Sequence, residues 1–475
     1  MADFECGVEN SARFWSAAAL RRFSTAHQAT QSGGGPPQSK TLARHSTTPS
    51  LMPVTEYLKM PYLVSMNSKR VVIVGGGAAG FFAAIAAAEP GANVTVLEKT
   101  SRFLEKVRIS GGGRCNVTHA AFEPREFATR YPRGERALLG PLHKFSARDT
   151  VAWFESRGVK LKTEGDGRMF PVTDSSETIV NCLMDAAQKA GVRFRLNCTV
   201  ESVVKLADGT FEIAVATKSD APREKIVCNR LLLATGGCRA AAAGQLAVAL
   251  GHTLEPPVPS LFTFQIESPW LRELAGVSSV AEVSVPGAKL RECGPVLVTH
   301  WGLSGPAVLR MSAWGARALH DLNYQFSLLV NWLPELNAEK ILQEFQARRE
   351  SAGAKLLVNV PLFPLTARLW EQLVLAAGVA RDARCSALTR AQAQALVQQL
   401  TRTEFAVTGK SLNKDEFVTC GGVNLDEVNF KTMESKICPG LFFAGELLDI
   451  DGITGGFNFQ AAWTTGFIAG HAMAA

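Results

Sequence analysis

A strand, glycine turn, helix and second strand near residue 70 constrain the fold of this chain more than any other feature. Residues 71–74 are a continuous β-branched run, which is typical of a strand buried on both faces. Gly75, Gly77 and Gly80 follow with G-x-G-x-x-G spacing, which serves a tight turn, close approach of a pyrophosphate and helix packing. The second strand ends at Glu98, which can accept the hydroxyls of a ribose. The unit predicts a dinucleotide site; the alternative is a glycine-rich turn in an unrelated sheet protein.

Length and composition predict a soluble globular protein of several domains. The 475 residues correspond to about three domains, and the 47% hydrophobic content can fill large cores. Because no uninterrupted apolar run reaches about 18 residues, we expect no transmembrane helix and no membrane partner. The net charge of +7 lies partly in the N-terminal tail, so it gives no independent argument for a nucleic-acid partner, and none is predicted.

Residues 1–68 differ in composition from the rest of the chain. Ser, Thr, Ala and Gln are frequent there, and no buried-strand pattern appears. Residues 11–27 contain no acid and place apolar side chains beside arginines on an amphipathic helix, as organelle presequences do, although three acids before residue 11 weaken the match. We predict a disordered targeting segment, for the mitochondrion first and the chloroplast second, with a plain disordered leader as the alternative.

The ten cysteines are scattered along the chain and include no C-x-x-C pair. This spacing argues against a zinc site, an iron–sulfur cluster and a dithiol redox motif, so no metal is predicted. In an intracellular protein such cysteines are mostly small buried hydrophobes, and a reducing compartment is expected.

A second glycine-rich stretch, RISGGGRCNVTH at 108–119, follows shortly after the second strand. Its four small residues at 110–113 make a backbone that can lie flat against a ligand, with Arg114 and Asn116 offering polar contacts. Cys115 is a candidate reactive thiolate, since the neighbouring Arg114 could lower its pKa. The alternative is a packed thiol beside the ligand.

Together with the C-terminal segment GLFFAGELLDIDGITGGFNFQAA, these two motifs resemble one family. From Lys69 to the C-terminus the chain is similar to a group of uncharacterised bacterial flavoproteins, the NAD(P)/FAD-dependent oxidoreductases, which include a reductase of bile-acid dehydro-intermediates. In that family these segments wrap FAD, which implies FAD here, bound by a Rossmann-type α/β domain of the glutathione-reductase-like superfamily. The cofactor-binding residues predicted in this way are Gly75, Gly77, Ala78, Ala79, Gly80, Glu98, Lys99, Arg108, Ser110, Gly111, Gly112, Gly113, Arg114, Cys115, Asn116, Thr118, Ala234, Thr235, Gly236, Gly445, Glu446, Gly455, Gly456, Phe457 and Asn458.

The C-terminal segment predicts a buried strand at 441–444 and a long apolar helix at 457–473. In related flavoproteins a strand ending in G-D places its acid on the ribityl chain, which implies that role for Glu446. The helix that follows aims its N-terminus at the pyrimidine carbonyl of the flavin, where its dipole would stabilise negative charge on reduced flavin. The alternative is a strand and helix that only complete the sheet.

Between these motifs the pattern predicts a continuing α/β domain. A strand ending in Ala-Thr-Gly-Gly, at 231–237, resembles the usual return to the pyrophosphate side of the flavin, whereas the CRAAAAG that follows departs from the family and puts the usual polar contact of that turn in doubt. The other elements predicted from periodicity and turn residues are a helix at 147–156, a strand at 159–162, a helix at 175–190 and a hairpin of 200–206 with 211–216.

An inserted region is predicted at 256–416, because three prolines break the pattern at its start and no second phosphate loop appears. The FAD-binding domain would therefore comprise 69–255 and a return at 417–475. Strand-like runs predict a small β-barrel and helical runs predict a cap, which matches the arrangement in the family that the chain resembles. The runs are 262–266, 280–285, 295–299 and 326–330 for the barrel, and 338–349, 365–376 and 390–400 for the cap.

The predicted function is that of an FAD-dependent oxidoreductase acting by hydride transfer through flavin N5. NAD(P)H is the expected transient donor, bound weakly and steered by Arg114, and the bile-acid enzyme implies a small substrate, possibly an enone. His300, followed by an aromatic residue and a glycine turn, is a candidate general acid, against a structural histidine. A flavin monooxygenase, a flavin-dependent RNA-modifying enzyme and a non-catalytic flavoprotein scaffold remain as alternatives, and the oligomeric state is open.

Overall fold

The computed structural model describes residues 69–217, 223–238, 241–411 and 418–475. The predicted targeting segment lies outside these residues, as does part of the CRAAAAG segment. The described chain forms a Rossmann-type α/β domain from two separated stretches of sequence, with a closed six-stranded barrel inserted between them. The predicted fold class is therefore confirmed.

The main sheet of the FAD domain contains seven strands. Arg70–Val74 lies inside it and pairs in parallel with Asn93–Leu97 on one side and Arg230–Leu233 on the other. Four of its five residues are buried, as expected for a continuous apolar strand whose two faces are both covered. The strand order is Val428–Asn429, Glu434–Ser435, Leu441–Phe443, Arg230–Leu233, Arg70–Val74, Asn93–Leu97 and Arg193–Arg195.

Two helices that are far apart in sequence pack closely on this sheet. Ala78–Ala88 is buried along almost its whole length and contacts the C-terminal helix, Phe457–Ala474. The contact needs small residues, because a Cβ added at Gly466 would stand 2.5 Å from the carbonyl oxygen of Ala79. The small apolar residues of both helices therefore serve close packing of the two ends of the FAD domain.

Smaller elements complete the FAD domain. One antiparallel sheet contains Cys198–Lys205, Phe211–Thr217 and Glu224–Cys228, and another contains Thr118–His119, Arg168–Pro171 and Leu161–Thr163. The remaining helices are Glu105–Gly113, Pro124–Ala128, Glu135–Lys144, Ala147–Glu155, Ser176–Lys189 and Ala241–Ala249, with 3₁₀ turns at Leu425–Glu427 and Gly445–Leu447. The predicted helices at 147–156 and 175–190 and the predicted hairpin are present within a few residues of their expected bounds.

The insert is a closed antiparallel barrel capped by helices. The barrel strands, in spatial order, are Thr263–Ile266, Gly302–Ser304, Leu290–Thr299, Ser278–Val285, Phe326–Asn331 and Thr403–Ser411. The cap helices are Ala338–Ser351, Ala367–Ala376 and Arg390–Arg402, and the shorter helices are Pro269–Glu273, Pro306–Trp314 and Ala316–Asp321, with 3₁₀ turns at Pro286–Ala288, Leu357–Asn359 and Cys385–Ala387. Two of the six barrel strands were not predicted from the sequence. Gly302–Ser304 is too short to show a pattern, whereas Thr403–Ser411 does alternate between buried and more exposed residues.

The insert leaves and re-enters the FAD domain through a two-stranded ladder. Leu254–Ser260 pairs antiparallel with Val418–Val423, with a register shift between Glu255 and Val258. The prolines of this segment were expected to break the pattern, but they lie within the strand, as proline can at a sheet edge or bulge.

No helix in the described part of the chain is both long and apolar enough to cross a membrane.

Candidate functional site

The first glycine turn is shaped by contacts that exclude side chains at two positions and leave a third open. Gly75 has φ +115°, its N–H donates to Leu97 O at 2.9 Å, and an added Cβ would stand 2.2 Å from Ala234 O. A Cβ on Gly80 would stand 2.0 Å from Gly75 O, whereas one on Gly77 would meet nothing within 4 Å. Gly77 therefore borders the open space into which a pyrophosphate could approach the backbone.

The end of the second strand faces the same turn. Glu98 accepts a hydrogen bond from the Gly76 N–H at 2.8 Å through one carboxylate oxygen, and one from the Thr100 N–H at 2.8 Å through the other. Helix Ala78–Ala88 begins without a side-chain cap, so its first N–H groups are available to an anion. Lys99 points to solvent. These residues fit the adenosine and pyrophosphate half of FAD.

The strand that ends in Ala-Thr-Gly-Gly closes the other side of the turn. Ala234 N–H donates to Val74 O at 2.9 Å, and the backbone of Thr235 lies beside Gly75. Gly236 has φ +79°, and an added Cβ there would meet nothing within 4 Å. The structure thus brings this predicted segment together with the first glycine turn.

The second glycine stretch, at 110–113, forms the C-terminal end of a helix that begins beside the first glycine turn. Helix Glu105–Gly113 leaves helical geometry at Ser110, Gly111 and Gly112, where the predicted flat backbone occurs. An added Cβ on Gly112 would meet nothing within 4 Å, so this backbone borders open space. Leu104, which precedes the helix, donates its N–H to the carbonyl oxygen of the first turn, at Gly76, at 2.9 Å.

Arg114 does not offer the free positive charge that was expected of it. Its guanidinium lies 2.6 Å from a Glu164 carboxylate oxygen and 3.5 Å from one of Asp174, and its Cζ is 4.0 Å from the centre of the Phe170 ring. Arg108 is likewise paired, with Glu177. Since both arginines are neutralised by carboxylates, the prediction that Arg114 steers an anionic donor loses its basis.

Cys115 does not have the environment of a reactive thiolate. Its side chain is fully buried, and burial raises the pKa of its thiol to about 12. The Ser110 hydroxyl acts in the opposite direction, and more weakly, on the same pKa. The expectation of a lowered pKa is therefore wrong, and the alternative of a packed thiol accounts for the geometry.

The segment after Cys115 is hydrogen-bonded to the C-terminal turn and helix. With its amide oriented to satisfy both partners, Asn116 donates to Thr118 O at 3.1 Å and accepts from the Gly456 N–H at 3.0 Å. The Thr118 hydroxyl donates to Gln460 Oε1 at 2.6 Å. Asn458 closes the turn by bonding both the N–H and the carbonyl of Gly452, each at 2.8 Å.

The C-terminal helix therefore begins at a fixed position. Gly455 and Gly456 have φ of +133° and +94°, and no side chain caps the first N–H groups of the helix after Gly456. The Tyr131 hydroxyl donates to Phe457 O at 2.6 Å. The uncapped N–H groups at the start of this helix are therefore available to an electron-rich group, as the pyrimidine carbonyl of a flavin would be.

Glu446 is held by two groups that were not predicted. Its Oε1 accepts from the Thr419 N–H at 2.9 Å, and its Oε2 lies 2.7 Å from the Lys106 ammonium. A Cβ added at Gly237, in the Ala-Thr-Gly-Gly turn, would stand 2.8 Å from Glu446 Oε1. Gly445, just before the acid, donates its N–H to the Thr465 hydroxyl at 2.9 Å. No spacing in the sequence could have paired Lys106 with Glu446.

His300 is not joined to the predicted cofactor residues. It is exposed, on the turn between strands Leu290–Thr299 and Gly302–Ser304. In the described ranges no hydrogen bond or ion pair links its ring to the FAD domain. The histidine that does contact the site is His119, whose ring stacks on Phe457 at 4.8 Å between centroids.

His119 is built into the structure as a neutral side chain. Its Nδ1 accepts from the Ala121 N–H at 3.1 Å, so Nε2 is left to donate to Asp166 O, also at 3.1 Å. Burial lowers its pKa, which favours the same uncharged form. Both nitrogens are thereby occupied, and His119 is a structural histidine.

Across the described residues, no group of three or more His, Cys, Asp or Glu side chains could hold a metal ion.

A buried ion pair joins the FAD domain to the insert just before the C-terminal turn. Arg133 Nε donates to Asp451 Oδ1 at 2.6 Å and a second guanidinium nitrogen contacts the other carboxylate oxygen. On the insert side, the Ser260 hydroxyl donates to Asp451 Oδ2 at 2.7 Å and Ala313 O accepts from Arg133 at 2.5 Å. Burial raises the pKa of Asp451, and Arg133 opposes this shift.

Residues 69–472 match one protein family, the HI0933-like protein Rossmann domain. The chain is 31% identical over 391 residues to the ribosomal RNA dihydrouridine synthase of Escherichia coli, covering 80% of this chain and 91% of that protein. It is 29% identical over 403 residues to the 3-dehydro-bile acid Δ4,6-reductase of Clostridium scindens, covering 82% of this chain and 96% of that protein.

Among solved structures, the chain is similar to a 3-ketosteroid Δ4-(5α)-dehydrogenase from Rhodococcus jostii. The match covers 87% of this chain and 98% of that protein, with 16% sequence identity and a TM-score of 0.48.

The family match extends over nearly all the described residues and includes every segment that lines the candidate site. The chain therefore belongs to the HI0933-like family of FAD-binding Rossmann proteins and is an FAD-dependent oxidoreductase.

Proposed function

We propose that this protein reduces a carbon–carbon double bond conjugated with a carbonyl group, with NAD(P)H as the electron donor. The observation that carries the proposal is its similarity, over four-fifths of the chain, to two enzymes with different substrates and one shared chemistry. A 3-oxo-Δ4,6 bile acid and uridine each contain an alkene conjugated with a carbonyl. Reduction of either is a saturation of that alkene.

Bound FAD would supply hydride transfer through flavin N5. The residues of this chain would bind and orient it: the first glycine turn and Glu98 would hold the adenosine and pyrophosphate half, and Glu446 would contact the ribityl chain. The N-terminus of helix Phe457–Ala474 would favour negative charge on the flavin ring system. A side-chain nucleophile is not required by this chemistry, so the burial of Cys115 is no objection to it.

The donor is expected to bind transiently, in the region between the FAD domain and the insert. No second strand, G-x-G-x-x-G turn and helix can be found in the sequence, so few phosphate contacts are available to a nicotinamide dinucleotide. The affinity for this donor should be weak, with a Kd on the order of 0.1 to 1 mM. Because Arg114 is paired with Glu164, flavin reduction should respond only weakly to salt, which stopped-flow measurements at two ionic strengths would check.

A second candidate substrate is a uridine in RNA, which the relative from Escherichia coli favours. Holoenzyme would be incubated anaerobically with NADPH or NADH and offered, in separate reactions, a panel of enones and total RNA. A mass increase of two hydrogens in an enone identifies a small-molecule reductase, and the same increase in a ribonucleoside identifies an RNA-modifying enzyme. Oxygen consumption that rises with substrate, or a flavin that neither donor reduces, would contradict the proposal.

We also propose that residues 1–68 are a removable address for the mitochondrion or, as second choice, the chloroplast. The support is the acid-free 11–27 segment and the start of the family match at residue 69. A fluorescent fusion of residues 1–68 should enter one of these organelles. A fusion that stays in the cytosol would count against the proposal.

A further inference from the structure

Lys106 occupies a place at which three cofactor-lining segments meet. It lies in the first turn of helix Glu105–Gly113, whose preceding residue bonds the carbonyl of Gly76 in the first glycine turn at 2.9 Å. Its ammonium is 2.7 Å from Glu446 Oε2, and the opposite oxygen of Glu446 would stand 2.8 Å from a Cβ added at Gly237 of the Ala-Thr-Gly-Gly turn. The lysine is therefore close to the positions assigned to both the pyrophosphate and the ribityl chain.

Four other cations of this part of the FAD domain pair with four carboxylates on and around strands Leu161–Thr163 and Arg168–Pro171. The cations are Arg108, Arg114, Lys162 and Arg168, and the acids are Glu164, Asp166, Asp174 and Glu177. Lys106 differs from them because its partner is itself a predicted cofactor residue, and because its side chain is 58% exposed and free to turn toward a ligand.

We propose that Lys106 is an FAD-binding residue whose ammonium binds the pyrophosphate oxygens, while Glu446 remains for the ribityl hydroxyls. A pyrophosphate carries two negative charges, and the helix N-terminus that faces it supplies only a partial positive charge. An ammonium adds a full point charge and charge-assisted hydrogen bonds. The ion pair with Glu446 would keep Lys106 at the site before FAD arrives. The inference rests on FAD binding by the family and is independent of the proposed substrate.

The test compares ligands that share parts of FAD. Full-length protein would be stripped of flavin and titrated with FAD, ADP and riboflavin, which lacks phosphate. Lys106→Met should weaken FAD and ADP about tenfold, since a charge-assisted hydrogen bond to phosphate is lost, and should leave riboflavin unchanged. Lys106→Arg should retain most of the affinity for both phosphate-containing ligands.

Two further variants separate this role from a general loss of an ion pair. Lys225→Met removes a similar exposed pair, Lys225 with Glu212 at 2.8 Å, on a different sheet, and should leave all three affinities unchanged. Glu446→Gln should weaken FAD, through the ribityl contact, without weakening ADP. A loss of ADP affinity as large as that of Lys106→Met in either variant would overturn the assignment.

The proposal also fails if Lys106→Met binds FAD and ADP as the unaltered protein does, or if riboflavin affinity falls by the same factor. Acetylation of lysines in the unaltered protein, followed by peptide mass spectrometry, decides the question even if the variant does not fold. ADP should protect Lys106 from acetylation and should not protect Lys225. Equal acetylation of Lys106 with and without ADP would reject the proposed contact.

Discussion

The FAD domain and the inserted barrel with its cap are held together in different ways. In the FAD domain, side-chain hydrogen bonds connect segments from opposite ends of the chain. Thr118 bonds Gln460, and the Trp463 indole donates to Val117 O at 2.9 Å, both across more than 300 residues of sequence. The cofactor segments are therefore assembled only when the C-terminal return has docked.

The insert instead encloses a core formed by one continuous stretch of chain. Its buried tryptophans, Trp332 and Trp370, bond the Thr403 hydroxyl and Leu357 O at 2.9 and 2.8 Å. This core is separate from the core of the FAD domain. Ligand binding should therefore stabilise the FAD domain most directly, and the insert should respond to it through the junction formed by the buried ion pair of Arg133 and Asp451.

The largest expected effect is at that junction. Asp451→Ala would leave the guanidinium of Arg133 poorly solvated and without its carboxylate partner, so the free energy of unfolding should fall by about 3 to 5 kcal/mol. Arg291→Ala, which removes a largely exposed pair with Glu282 in the barrel, should cost less than about 1 kcal/mol. Equilibrium denaturation of both variants would measure the difference, and similar small losses would show that the two regions are not joined through Asp451.

A smaller effect, confined to the FAD domain, is expected from Gly77→Val. The added side chain meets no protein atom but enters the space assigned to the pyrophosphate, so FAD affinity should fall at least about a hundredfold, or about 2.7 kcal/mol, with apoprotein stability preserved. The unaltered protein should release FAD rather than FMN, and the variant should be nearly colourless. Gly287→Val, at an equally open position in the barrel, is the control and should keep its flavin.

A still smaller effect is expected on the pH dependence of stability, and it arises in the FAD domain. His252 is buried in the FAD domain between Glu427 at 2.9 Å and Ser435 at 2.8 Å, and burial lowers its pKa from 6.5. The unfolded chain therefore takes up this proton before the native one, and stability falls as pH drops below about 6.5, by at most about 1.4 kcal/mol per pH unit.

His252→Gln should flatten this part of the stability profile. Urea denaturation between pH 7.5 and 5.5 would compare the variant with the unaltered protein. An identical slope in the His252 variant would show that this buried group does not set the pH dependence.

The smallest expected response is that of Cys115 to alkylation. With its side chain fully buried and the pKa of its thiol raised to about 12, it should stay unmodified by iodoacetamide at pH 8 in the folded protein and react after denaturation. Peptide mass spectrometry reads both states. Rapid modification of the native protein would restore the reactive-thiolate hypothesis.

Local sequence pattern was sufficient for most of the architecture. The β-branched run at 71–74, the glycines after it and the small residues of the next helix specify backbone geometry within a few residues, so the dinucleotide-type unit could be predicted directly. The same holds for four of the six barrel strands and for the cap helices, whose periodicity is visible in one sequence. The proline-containing strand Leu254–Ser260 could not be recognised, because its pairing partner lies some 160 residues away in the chain.

The sequence alone predicted which segments come together in the candidate site, because close approach of a backbone and the start of a helix are local properties. Only the tertiary structure decided the electrostatic state of the side chains on those segments. Arg114 is neutralised by Glu164, Cys115 is desolvated, and Lys106 reaches Glu446 across 340 residues of chain. Charge and pKa depend on which groups meet in space and how much water remains around them, and no local pattern contains that information.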